Sequence, residues 1–322
     1  MKNDWYDSFI DALCEKYPKK SQLAEALMDL LLIERESAYR RLRKQIMFTV
    51  HELVKISSAW NISLDGTVGT MLSKVSFQMH PVNFLMPSEE DMKYLRKRSR
   101  EFEQLKEDSY SEYILVCNYV TRSLSTGFAN LFKFDLFKWT YEYCNTSNEK
   151  SNMMFSDIVI LESITQGAAN YSKCMKYITN TTYILDSTVF ENYIDDIRFF
   201  HSIFLITDED KKLLKKELHA LLDYLLDVAN NGCFPETKKK VHLYISKLHI
   251  NTNYSYFHSA RREVCRIHSF NMYDNITYDV EMLGNFKQWL QKKKRTCILV
   301  SEADERSRIE FIMKQRELID GL

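Results

Sequence analysis

The chain has 322 residues, enough for about two domains that each bury a core. Seven Gly and four Pro beside 45% hydrophobic and 27% charged residues exclude a largely disordered chain and favour a folded, helix-rich one. Lys+Arg and Asp+Glu both total 44, which excludes a uniformly basic nucleic-acid coat protein and an acidic tail, so charge-driven binding has to come from local clustering.

From the amino end, Trp5, Phe9, Leu13 and Cys14 recur at helical spacing before Pro18 interrupts. A second apolar stripe, Leu23, Leu27, Leu30 and Leu31, leads through Leu32 and Ile33 into a charged helix within 34–45. A fourth helix carries Leu53, Ile56 and Trp60 and ends at Asn61. Gly66, Gly69, Pro81 and Pro87 are the densest punctuation in the chain and mark a linker, here bounded as 71–87 between a first domain at 1–70 and a second at 88–322.

Ser88 with Asp91 reads as a helix cap, and Met92, Leu95, Ser99, Phe102 and Lys106 follow at spacings of three and four. That seam fits either a partner chain or the helix's own domain. Further helical patterns cover 111–143, 152–179, 187–205 and 208–231, the last with the stripe Leu214, Leu218, Leu221, Leu222 and Leu225. After Pro235, alternation at 241–246, an Asn251-Thr252-Asn253 turn and 254–257 predict a β-hairpin. A third strand is expected at 263–270 and a short one at 296–300. Ile276, Val280, Leu283, Phe286 and Leu290 are assigned to a helix on length. Ser301 and Asp304 open a last helix with the stripe Ile309, Ile312, Met313 and Ile319.

The strongest local chemistry lies in Glu34-Arg35-Glu36-Ser37-Ala38-Tyr39-Arg40-Arg41-Leu42-Arg43-Lys44, with Arg40, Arg41, Arg43 and Lys44 close together. On a helix, Ala38 and Leu42 can face inward while Arg35, Glu36, Tyr39, Arg40 and Arg43 share the outer face. A planar guanidinium grips a phosphate or the two acceptors of a guanine edge, and a helix fits the major groove. A basic run standing alone is more often a solvated face.

The order of elements distinguishes this run. A packed helix, a tight connection, the basic helix and then Glu52-Leu53-Val54-Lys55-Ile56-Ser57-Ser58-Ala59-Trp60-Asn61-Ile62-Ser63-Leu64-Asp65 follow one another. This resembles the helix-turn-helix domain of Cro/CI-type (Xre-like) bacterial transcriptional regulators, here with a large C-terminal domain. The family usually has Gly in the turn, where this chain has Leu32. The resemblance implies that Arg35, Glu36, Tyr39, Arg40 and Arg43 face the groove of double-stranded DNA, with Ser37, Lys44, Lys20 and Ser21 at phosphates. The register that buries Ala38 turns Arg41 partly inward, away from that face. A single such unit binds weakly and specificity requires two half-sites, so a homodimer is expected, with the larger domain as the place for dimerisation and for sensing an unknown small-molecule effector if one exists.

Other chemistry is sparse. Seven Cys stand singly with no C-x-x-C pair, which fits a reducing cytosol. The polar start Met1-Lys2-Asn3-Asp4-Trp5 and the want of any apolar run of about 18 residues argue against a signal peptide or a membrane span, so the expected location is cytoplasmic. Cys265 and His268 would point to opposite faces of a strand, and no catalytic or phosphate-loop string occurs, so neither metal, cofactor nor catalysis is expected. The aromatic run Phe132, Phe134, Phe137, Trp139, Tyr141 and Tyr143 reads as core packing.

The expected fold is mainly α: an N-terminal helix-turn-helix bundle joined to a larger, mostly helical α+β domain with a small β-sheet near the C-terminus. The expected function is sequence-specific transcriptional regulation as a dimer. The alternative is a helical protein-interaction module that has lost DNA binding. The second alternative is an enzyme housed in 110–322, which a deep pocket with converging titratable groups would raise and the absence of such a pocket would remove.

Overall fold

The structure, a computed structural model, describes residues 5–17, 19–60, 62–64, 75–143, 153–269 and 272–322. Of the features read above, Pro18, Asn61, Asp65, Gly66, Gly69, Cys144 and the linker residues 71–74 lie outside the described residues. The chain divides into two compact units, Met1–Phe77 and Gln78–Leu322. Among the described residues no helix is long and apolar enough to cross a membrane.

The first unit contains α1 (Trp5–Lys16), α2 (Lys20–Leu31), α3 (Arg35–Leu42) and α4 (Val50–Trp60). Tyr6, Phe9, Ile10 and Leu13 on α1, and Leu23, Ala24, Leu27 and Leu31 on α2, recur every three or four residues and are buried. They meet Leu53, Ile56 and Trp60 of α4 in one core, to which α3 adds the buried Ala38, with Tyr39 and Leu42 packed against its edge. Each buried Leu or Phe there contributes about 1.5–3 kcal/mol. The Phe48 N–H donates to the Tyr6 hydroxyl at 3.1 Å, which fastens the segment between α3 and α4 to α1.

The second unit overturns the expected fold class. Its framework is an eight-stranded mixed sheet, so the unit is α+β around a large sheet rather than mostly helical with a small one. The strands are β1 (Gln78–Met79), β2 (Ser111–Cys117), β3 (Asn180–Asp186), β4 (Lys240–Ser246), β5 (Tyr254–Ser259), β6 (Arg262–Ser269), β7 (Tyr273–Thr277) and β8 (Cys297–Leu299), in the order β1-β7-β6-β5-β2-β3-β4-β8. β2, β3 and β4 run parallel, and the remaining pairings are antiparallel.

The helices are α5 (Glu89–Glu103), α6 (Arg122–Ser125), α7 (Ala129–Tyr143), α8 (Glu162–Met175), α9 (Glu191–Ser202), α10 (Asp208–Asn231), α11 (Val280–Lys294) and α12 (Glu305–Asp320). On one face of the sheet Leu115, Leu185 and Leu243 share a core with Phe134 and Phe137 of α7, Ile197 of α9 and Leu218 of α10. On the other face Ile114, Val116, Ile184 and Cys265 meet Leu283, Phe286 and Leu290 of α11. Helices cover both faces of the central strands.

That double burial explains why the sheet was hidden. The run Tyr113 to Cys117 is buried at every position and carries no alternation, so β2 merges into the helical pattern expected over 111–143. The expected hairpin is also absent. β4 pairs with β3 and β8, β5 pairs with β2 and β6, and the 247–253 segment crosses the ends of β3 and β2 instead. Asp186 accepts the Ile250 N–H at 2.7 Å, and the Asn118 N–H donates to Asn253 Oδ1 at 2.8 Å, holding the crossing in place. The helix expected from Ile276 begins only at Val280, after β7. In α12 the buried face is Phe311, Ile312, Gln315 and Ile319, which leaves Ile309 and Met313 exposed.

Candidate functional site

α2 ends on Leu32, whose φ of 56° and ψ of 46° are left-handed, and whose N–H donates to the Met28 carbonyl at 2.8 Å. The chain therefore turns with a branched residue at the strained position. α3 follows after Ile33 and Glu34. Ala38 is fully buried, and this anchors the rotation of α3 about its axis.

With that rotation set, Arg35, Glu36, Arg40 and Arg43 are exposed, and Ser37 and Tyr39 are half-buried. The guanidinium groups of Arg35 and Arg43 lie 6.0 and 5.6 Å from the centroid of the Tyr39 ring. None of Arg35, Arg40 and Arg43 forms an ion pair among the described residues. Lys20 and Ser21, at the start of α2, are also exposed.

Arg41 and Lys44 behave differently. Arg41 reaches Glu52 at 2.7 and 3.2 Å and the Ser37 carbonyl at 3.2 Å, so its charge is spent inside the unit. Glu52 also accepts the Thr49 N–H at 2.8 Å while Thr49 Oγ1 accepts the Glu52 N–H at 3.3 Å, which caps α4. Burial pushes the Glu52 carboxyl up, but the hydrogen bonds from Arg41 and Thr49 outweigh it and hold the group below its ordinary value. Lys44 has a φ of 61° and pairs with Asp7 of α1, and that hydrogen bond raises its pKa.

A second concentration of chemistry lies within the Gln78–Leu322 unit, where no sequence motif marks it. A cavity of about 510 Å³ is floored by β5, β6 and β7 and walled by α5 and α8. Met92, Leu95, Ser99 and Phe102 line it, so the α5 seam is used inside its own unit. Asn170 of α8 donates to Ser99 at 3.0 Å.

Strand register assembles the polar part of the floor. Arg266 lies opposite Ser255 on one side and Ile276 on the other, and His268 lies opposite Asp274. Asp274 takes Arg122 at 3.1 Å and Nδ1 of His268 at 2.7 Å. Burial pushes the Asp274 carboxyl up, yet Arg122, His268 and Arg266 together hold it well below the usual carboxylate range. Arg266 Nε, Ser255 Oγ and His268 Nε2 are buried and have no hydrogen-bond partner among the described residues. Cys265 faces the opposite side of the sheet, in the core under α11.

Alternation across 264–268 is the one sequence signal that could have marked this floor, because Val264, Arg266 and His268 share a strand face. Nothing in the sequence states that Ser255 and Asp274 stand beside them. Set against known proteins, the chain matches no family model, no curated protein and no solved structure.

Proposed function

We propose that this protein is a cytoplasmic DNA-binding transcriptional regulator that acts as a homodimer and lays α3 of each copy in the major groove. One observation carries the reading: Arg35 and Arg40 of α3 and Arg43 at its C-terminal cap are exposed, without carboxylate partners among the described residues, and Ala38 and Arg41 set the rotation of that helix. Guanidinium groups left free in this way can reach phosphates and base edges. A single short helix offers few base contacts, so two half-sites and a dimer accompany the reading. The Gln78–Leu322 unit then serves dimerisation and effector binding, and no reaction is part of the scheme.

The test is retention of genomic duplex fragments by the full chain as salt is raised. A steep loss of affinity and recovery of fragments sharing an inverted repeat are expected. Arg40→Ala with Arg43→Ala should abolish specific retention, with the circular dichroism spectrum unchanged. A flat salt response in the unaltered protein would instead assign the face to a protein partner.

A further inference from the structure

We propose that the cavity over β5, β6 and β7 binds a small aromatic organic anion, a carboxylate or phosphate ester on a flat body. Its volume of about 510 Å³ is far beyond a packing defect and within the range of small-molecule sites. At about 30 Å³ per water, the space holds roughly seventeen water volumes, which suits a ligand on the order of ten to twenty-five non-hydrogen atoms.

The sign of the ligand follows from the lining. Arg96, Arg98, Arg122 and Arg266 contribute to it, Arg98 being paired with Glu101, against Asp274 as the single lining carboxylate among the described residues. Asp274 is already engaged by Arg122 and His268, so it has little left for a cation. Arg266 is only 7% exposed and cannot give up its proton, and its Nε is unpartnered. Ser255, directly across the strand pair and 1% exposed, adds an unpartnered hydroxyl beside it. Buried donors of this kind are costly unless something accepts from them, and an oxyanion accepts from both.

The shape of the ligand follows from the walls. Phe102 of α5 and Tyr171 of α8, with Tyr113 and Phe257 of the sheet, line the space beside the polar groups, and aromatic side chains suit a flat apolar body. His268 Nε2, buried and without a hydrogen-bond partner among the described residues, gives a polar group on the body a third position to meet. The proposal supplies the effector class for the regulator proposed above and rests on that reading only for its consequence at DNA.

Calorimetric titration of the full chain without DNA tests it with two acids and their neutral counterparts: indole-3-acetate against indole-3-acetamide, and adenosine 5′-phosphate against adenosine. At least one acid should bind with a Kd below about 1 mM, and at least about tenfold tighter than its neutral counterpart. Binding of the first pair assigns a carboxylate ligand, and binding of the second a phosphate ester. Arg266→Met should bring the acid to the level of the neutral compound, and Ser255→Ala, which keeps the strand intact, should weaken it several-fold. Equal affinity for acid and neutral compound, or no binding of either acid up to about 10 mM, would overturn the proposal. The acid-against-neutral comparison in the unaltered protein decides the matter even where Arg266→Met does not fold. Because no DNA is present, failure of the regulator reading leaves this result standing, and failure here leaves the salt titration standing.

Discussion

Leu32 shows how one residue carries the cost of a turn. Its left-handed backbone is one that an L-residue adopts at a penalty of roughly 1–2 kcal/mol, and its side chain is 87% exposed, so packing returns little. Leu32→Gly is therefore expected to raise the stability of the first unit by up to about 1 kcal/mol in urea unfolding, reduced by the extra freedom Gly gives the unfolded chain. Asp135 of α7 carries a different burden. Its carboxyl accepts from Ser125 and Tyr193, but burial dominates and pushes its pKa up to about 7. Between about pH 4 and pH 7 the folded state holds a proton that the unfolded state has released. The stability from this group is full below that window and lost as pH rises through it. Asp135→Asn should gain on the parent as pH goes from 5 to 8, and the gap in Tm between the two proteins measures it.

At the scale of elements, the basic helix is defined as much by the cation it withdraws as by those it presents. Glu52 caps α4 and clamps Arg41, tying the rotation of α3 to the start of α4. Glu52→Gln should destabilise the unit by about 1–3 kcal/mol, since it leaves a mostly buried guanidinium underpaired. Because the folded carboxyl is held below its ordinary value, this contribution is full above about pH 4.5 and is lost as pH falls through the folded pKa, so parent and variant converge in acid. Chemical denaturation at pH 7 and pH 3 reads both effects. The stripes of α1, α2, α4 and α10 were legible because each repeats within three or four residues. β2 and β3 were not, because strands buried on both faces lose the alternation that marks a strand. Ile276 joined a helical pattern only by coincidence of spacing, and the helix proper begins where the Asp279 carboxylate accepts the Met282 N–H at 2.8 Å.

For the whole molecule, the decisive pairings join distant parts of the chain. Glu112 lies beside Asn180, and Asn180 beside Lys240, with helices wound between them. Backbone ladders are the same for every residue type, so strand order depends on which apolar faces can be covered together. The sequence by itself determined the helical first unit, the inward place of Ala38 and the concentration of cations on α3, because these rest on contacts within one or two helical turns. Only the tertiary structure decided that Arg41 is withdrawn by Glu52, that β4 and β5 lie apart, and that Ser255, Arg266, His268 and Asp274 share the floor of one cavity. Those facts depend on long-range registry, in which polar groups far apart in the chain become neighbours because the sheet has already brought their strands together.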